Sequence, residues 1–249
     1  MIELKSADEI ARMRAAGAIV ARLLQRLAGL VAPGVKTKEL DEAAREMIRA
    51  EGAEPAFLGY RGFPATICVS VNEEVVHGIP GSRIIQAGDV VSIDAGVKLE
   101  GFYGDAALTV GAGKLSERAQ RLVTVTRESL AEAITVMRPT KRLSDISHTV
   151  QQVVERAGFG VVRDFVGHGI GRAMHEDPPV PNYGPPNRGP RLKPGMVLAI
   201  EPMVTMGGWE VEVLSDGWTA VTRDRSLAAH FEHTIAITQD GPQVLTSLA

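Results

Sequence analysis

The chain has 249 residues, 45% hydrophobic and 23% charged, the balance of a globular protein long enough to bury a substantial core. Its net charge of -3 comes with no local cluster of Lys and Arg, which argues against a nucleic-acid partner, and no apolar run approaches the ~18 residues of a membrane span. Cys68 is the only cysteine, so no disulfide can close within the chain, and a reducing compartment is expected. The opening stretch MIELKSADEIARMRAAG lacks the basic, apolar, small-residue order of a secretion signal, and the cytoplasm is the expected location.

Ser6 and Glu9 form a capping box, after which Ile10, Met13, Gly17, Val20, Leu24 and Leu27 recur at helical spacing to about Leu30. Pro33-Gly34 stops that helix. Thr37 is expected to cap a second helix, with Leu40, Ala44, Met47 and Ile48 on one face and an end at Gly52. Short β-type runs are expected at 65–71 and around 74–76. Two longer ones follow: Val90-Val91-Ser92-Ile93 ends at Asp94, and Asp105 opens Ala106-Ala107-Leu108-Thr109-Val110. From Ser116 a helix with Leu122, Val125, Leu130, Ile134 and Met137 runs to Pro139. Another begins at Ser144, carries Ile146, Val150, Val153 and Val154, and ends at Gly158. The proline-rich stretch from Asp177 to Arg191 falls between the helices and strands of one half, so it reads as a wrapped loop bordering a site and not as a linker. Residues 203–230 read as a β excursion.

The aspartates are the anomaly. If their runs pair about a turn near Leu99 and Glu100, Asp94 faces Asp105 at about 4.5–5.5 Å. Buried carboxylates cost several kcal/mol unless they share a proton, meet a base or bind metal.

The second half repeats the first. Pro33 and Gly52 recur as Pro139 and Gly158, each displaced by 106 (139 minus 33; 158 minus 52), and Gly88–Asp94 recurs as Gly195–Glu201, displaced by 107 (195 minus 88). Asp105 is matched with Glu232, which heads His233-Thr234-Ile235-Ala236-Ile237. The expectation is one α+β domain over 1–249 with an internal repeat, approximately 6–110 and 116–240. Its halves are related by a pseudo-twofold, and four acids converge. Chance recurrence of helix-helix-strand order is the alternative.

His168 lies in Gly167-His-Gly-Ile-Gly-Arg172, and His175 follows seven residues later (175 minus 168). A phosphate loop is disfavoured because the spacing is Gly-x-Gly-x-Gly with no strand-turn-helix unit; the glycines suit a turn that brings an imidazole close. Four carboxylates and an imidazole suit divalent ions such as Mn, Fe, Co or Zn and exceed what one ion needs, so two are expected. A nucleophilic serine has no Gly-x-Ser-x-Gly elbow, and an aspartic dyad leaves Glu201 and Glu232 unexplained.

The motifs His77-Gly-Ile-Pro80, Ser92-Ile-Asp94-Ala-Gly96, Gly104-Asp105, Gly167–Arg172 with His175-Glu176, Ile200-Glu201-Pro202-Met203 and Phe231-Glu232-His233-Thr234 occur in order. Together they resemble type I methionine aminopeptidases of peptidase family M24, from the first helix to Thr238. The resemblance implies the pita-bread fold, a curved antiparallel sheet with helices outside, in agreement with the repeat. It implies that Asp94 chelates one metal, that Asp105 and Glu232 bridge two, and that His168 and Glu201 complete the second. The ions could be Co, Mn, Fe, Zn or Ni. The reaction implied is removal of N-terminal methionine from nascent proteins and peptides, preferentially before a small second residue, by hydroxide activated between the metals. Glu201 would carry the proton, His175 would stabilise the oxyanion and His77 would contact the scissile amide nitrogen. Tyr60, Phe63, Cys68, Met174 and Trp218 would line the methionine pocket. Phe63 and Met174 stand where other members often carry Tyr and Phe, and His230 where Gln is frequent.

Nascent polypeptide N-termini are the implied partners; contact with the ribosome is open, and a monomer is expected. Rival readings are a proline-directed aminopeptidase of the same fold and a non-catalytic binding module. Glu201 and Glu232 are only 31 apart (232 minus 201), without the long insertion of type II relatives, and all five ligand positions are kept.

Overall fold

The computed structural model describes residues 2–247. Among them are four α-helices, α1 (Ala7–Ala28), α2 (Thr37–Ala50), α3 (Glu117–Thr135) and α4 (Leu143–Arg156), in two pairs separated by antiparallel strands. None is long and apolar enough to cross a membrane. The capping box at α1 is present: the Ser6 hydroxyl accepts from Glu9 N–H, and the Glu9 carboxylate accepts from Ser6 N–H at 2.9 Å. Its inner face buries Met13, Gly17, Val20, Leu24 and Leu27, as the spacing predicts.

The other helix pair starts differ from expectation. Thr37 is already helical, and its hydroxyl instead accepts from Gly81 N–H at 2.8 Å and donates to Gly81 O, closing the loop after His77 against α2. At α4 the first helical residue is Leu143, and Asp145 accepts from Arg142 N–H at 2.8 Å. In both cases a longer-range or carboxylate partner takes the place of the local hydroxyl cap.

In the first half the strand Val90–Leu99 pairs with Phe102–Gly111 on one side and Cys68–Val71 on the other. Glu100 (φ 48) and Gly101 (φ 83) form a two-residue turn with both backbones left-handed, the combination that matches the twist of paired strands. That turn sits one position later than expected and shifts the register by two. Asp94 therefore faces Ala107, and Asp105 faces Gly96. Because side chains alternate with period two, both aspartates keep the same face, as diagonal rather than opposed neighbours. In the second half Val197–Ile200 lies between His233–Thr238 and Gly167–Gly169, with Gly241–Val244 and Glu176–Val180 at the edges.

The pseudo-twofold is written in backbone hydrogen bonds. Gly88 N–H donates to Ala112 O and Ala112 N–H to Asp89 O; in the second half Gly195 N–H donates to Ile237 O and Ile237 N–H to Met196 O, all at 2.8 or 2.9 Å. Gly88 (φ 89) and Gly195 (φ 92) both need the left-handed backbone that glycine adopts freely. Counting along the strands from these pairs matches Asp94 with Glu201 and Ala107 with Glu232. The last two are joined by an isolated antiparallel bridge, N–H to C=O in both directions. Asp105 is then the image of His230, not of Glu232 as the sequence comparison suggests. Acid aligns with acid in composition, yet the strands meet two residues further along.

Each helix pair covers its own core. Ile19, Leu23, Leu27, Leu40 and Ile48 pack with Ile67, Val91 and Ile93, and Leu122, Leu130, Ile146 and Val150 pack with Leu198 and Ile235. The inner faces of the strands are left to the site.

Candidate metal centre and adjoining cleft

Asp94 and Asp105 reach the inner face from the first hairpin, Glu201 follows the strand Val197–Ile200, and Glu232 lies at the bridge to Ala107. His168 comes from Gly167–Gly169. This segment is a strand and not the expected turn, and none of its glycines has a positive φ. A Cβ at Gly167 would collide with Ala199 O, and one at Gly169 with Asp177 O. The glycines thus let neighbouring strands close on one face while His168, between them, projects from the other.

Ligand-type atoms of Asp105, His168 and Glu232 all lie within 4.8 Å of one another, and all three residues are buried. His168 Nε2 is 3.8 Å from Asp105 Oδ2 and 3.6 Å from Glu201 Oε1. His168 Nδ1–H donates to the Gly169 carbonyl at 2.9 Å, an assignment made from that bond, and it turns the lone pair of Nε2 toward the acids. Burial pushes the imidazole down to about 4, so it is neutral at ordinary pH.

The carboxylates move the other way. Burial pushes Asp94 up to about 7. Asp105 is raised well above the usual range by burial and then by Asp94 and Glu201; Glu201 by burial and then Asp94; Glu232 by burial and then its three acidic neighbours. Asp94 Oδ1, Asp105 Oδ1 and Glu232 Oε1 are buried without a hydrogen-bond partner. Orphaned carboxylate oxygens beside the neutral Nε2 of His168 are a donor set that fits divalent cations.

The cleft opens beside the acids, and the structure brings every candidate ligand, catalytic and pocket residue named from the sequence onto its wall. His77 has φ 60, a conformation costly for a residue with a Cβ, and it is followed by Gly78, where a Cβ would meet Val69 O. Its ring meets Phe165 edge-on at 5.3 Å and lies 6.3 Å from Trp218. Burial, and then His175, pushes His77 down to about 4. His175 stacks on Tyr60 at 5.3 Å, meets its hydroxyl through Nδ1 at 2.9 Å, and lies 4.1 Å from the His168 ring. Phe63, edge-on to Trp218 at 5.1 Å, packs with buried Cys68 and Met174. Burial, followed by the charge of Asp94, raises the Cys68 thiol well above its usual range, so it serves as an apolar wall and not as a thiolate.

Three neighbours escaped the sequence reading as site residues. Phe57 and Arg61 also line the cleft. The signal for Phe57 lies at Gly96, where a Cβ would come within 2.7 Å of Phe57 Cε1. His230 is 2% exposed, its Nε2 has no hydrogen-bond partner, and it stands 4.0 Å from Glu201 Oε2.

Residues 11–239 match the profile of Metallopeptidase family M24. The chain is 54% identical to methionine aminopeptidase 1 of Bacillus subtilis over 99% of both chains. It is 49% identical to methionine aminopeptidase 1 of Mycobacterium tuberculosis, over 99% of this chain and 95% of that one. The crystal structure of methionine aminopeptidase from Thermotoga maritima is similar over the full length of both chains, with a TM-score of 0.98 and 49% identity. Prolidase from Pyrococcus furiosus, at TM-score 0.81 and 22% identity over 99% of this chain and 66% of that one, shares the fold alone.

Proposed function

Because the chain belongs to metallopeptidase family M24, we propose that it removes the N-terminal methionine of polypeptides by metal-dependent hydrolysis of the first peptide bond. The observation that carries this reading is the junction of two environments. Buried acids with orphaned oxygens surround His168 Nε2, and an apolar slot walled by aromatic rings, Cys68 and Met174 opens directly beside them.

Asp94, Asp105, His168, Glu201 and Glu232 would hold two divalent ions, drawn from Co, Mn, Fe, Zn or Ni. When bound, such ions supply Lewis acidity and a water that ionises near neutral pH. The chain's own groups would do the rest. Glu201, whose affinity for protons is raised by burial and by Asp94, accepts a proton from the attacking water and passes it to the departing amine. With the Tyr60 hydroxyl assigned as donor to His175 Nδ1, 2.9 Å away, the Nε2–H is free to donate to the oxyanion. His77 contacts the scissile amide nitrogen. Phe63, Tyr60, Cys68, Met174 and Trp218 receive the methionine side chain, whose thioether is favoured at aromatic edges. A small second residue, a monomeric state and a cytoplasmic location complete the proposal, with nascent chains as substrates.

The test uses protein stripped by chelator and reloaded with Mn or Co, offered Met-Ala-Ser, Met-Lys-Ser and Ala-Pro peptides. Methionine should leave the first only, and chelation should abolish its release. Cleavage of the Ala-Pro peptide would move the assignment to a proline-directed aminopeptidase.

A further inference from the structure

We propose that Lys5, in the segment before α1, is a positioning residue for His175, acting through a buried ion pair with Glu176. The inference rests on the reading of His175 as a substrate-contacting group. Lys5 Nζ lies 2.7 Å from Glu176 Oε2, and the two side chains are only 3% and 14% exposed. The other oxygen of Glu176 accepts from Arg172 N–H at 2.8 Å and Ala173 N–H at 3.1 Å, while Gly171 N–H donates to Ala173 O. One carboxylate therefore gathers the whole loop that delivers Met174 and His175 to the cleft, and one ammonium holds that carboxylate.

The surroundings are shaped for this pair. A Cβ at Gly171 would collide with Lys5 Cε, and a Cβ at Gly195 would come within 2.9 Å of Lys5 O. Lys5 N–H donates to Gly195 O at 2.7 Å, which ties the segment to the strand leading to Glu201. Two outer contacts surround the buried one: Glu3 at 2.9 Å from Lys5 Nζ, and Glu9 at 3.0 Å from Arg172. Both involve exposed groups that salt screens, so the Lys5–Glu176 pair dominates.

Removing one partner of a buried pair leaves an uncompensated charge, whereas removing both charges is mild. Lys5→Met leaves Glu176 ionised without its counter-ion, so that it turns toward water and releases the Arg172 and Ala173 amides. Lys5→Met/Glu176→Gln keeps an amide oxygen for those two N–H groups and buries no charge. The single substitution should disturb His175, and the double should restore it.

The experiment measures kcat and KM of Mn-loaded protein on Met-Ala-Ser, well below the melting temperature of each variant. Lys5→Met should lower kcat by about ten- to a hundredfold, the cost of a misplaced catalytic group. Lys5→Met/Glu176→Gln should recover to within about threefold, and in a His175→Ala background Lys5→Met should change kcat by less than about twofold. Glu176→Gln alone supplies the same comparison should Lys5→Met fail to fold: it leaves the buried Lys5 ammonium with only exposed Glu3 as partner, and the expected loss in kcat, about tenfold and larger than that of the double variant, again needs His175. Amide exchange over 171–176 should also quicken in the folded single variant. Unchanged kcat and exchange in the folded variants, or an equal loss with and without His175, would overturn the proposal. If the wild type itself releases no methionine, the functional reading fails, and the exchange measurement still decides whether Lys5 locks the loop.

Discussion

Thr109 and Thr234 occupy equivalent places in the two halves, and each grips the backbone of a site residue in the other half. Thr109 Oγ1 donates to His230 O at 2.7 Å and accepts from His230 N–H at 2.9 Å; Thr234 Oγ1 donates to Asp105 O at 2.8 Å and accepts from Asp105 N–H at 3.1 Å. A hydroxyl is a compact group that can do both at once. Asp105 of the candidate metal centre and His230 beside it are thus each held across the pseudo-twofold, so neither half alone could fix their geometry.

Thr234→Val keeps the shape and leaves the buried N–H and C=O of Asp105 unpaired. Stability should fall by about 1–3 kcal/mol, and Thr234→Ser should retain most of it. Calorimetric unfolding of chelated and Mn-loaded protein checks this. A melting temperature for Thr234→Val equal to the wild type would show that the clasp contributes nothing.

Metal should flatten the pH dependence of stability above pH about 6.5. Asp94 is raised from 3.8 to about 7 in the folded chain, and Asp105, Glu201 and Glu232 are also raised well above the usual carboxylate range, in each case by burial first. A carboxyl raised on folding contributes stability that is present below its unfolded value and lost as pH rises through its folded value. The buried histidines act oppositely: His168 and His77 are lowered to about 4, so their contribution is present above 6.5 and lost as pH falls toward 4. Above pH about 6.5 only the acids titrate, and chelated protein should melt at falling temperature from there to pH about 8. Cations compete with protons for the same oxygens, so the gain in melting temperature on adding Mn should widen over that range. A gap that narrows would contradict the assignment of these acids as the metal-holding set.

His230 is the twofold image of Asp105 and presents an unpartnered Nε2 to the far oxygen of Glu201. His230→Leu should weaken Mn binding about tenfold, the usual cost of losing a group that orients a ligand, while His230→Gln, which keeps an N–H donor, should weaken it far less. Titration calorimetry reads both constants; equal affinities for the two variants would rule out an orienting role.

Tyr60→Phe removes the hydroxyl at His175 Nδ1 and keeps the stacked ring. Losing one hydrogen bond of ~1 kcal/mol corresponds to a fall in kcat of about fivefold, with KM nearly constant. A rise in KM at constant kcat would instead assign Tyr60 to binding alone.

Much of this architecture is legible in the amino-acid sequence, because the relevant signals are local. The Ser6–Glu9 box, the 3.6-residue spacing of Met13, Val20 and Leu27, and acids embedded in β-type runs each need only a few neighbouring residues to be recognised. The duplicated Gly-x-Val runs, ending in Asp94 and Glu201, likewise announce two converging halves. Period-two alternation even guaranteed that Asp94 and Asp105 share a face, since a register error of two leaves side-chain direction unchanged.

What the tertiary structure alone decided was offset and partnership. The left-handed pair Glu100-Gly101 set the hairpin one position later than composition suggested, which made Asp105 the image of His230. Close strand packing around Gly167 and Gly169 made a strand where the glycines suggested a turn, and Phe57 filled the space that Gly96 leaves. Lys5 and Glu176 are 171 positions apart, and no local pattern links them. Hydrophobic periodicity specifies which way a side chain points. Which distant side chain it meets depends on turn dihedrals and on how closely backbones can approach, and those are settled only when the halves pack together.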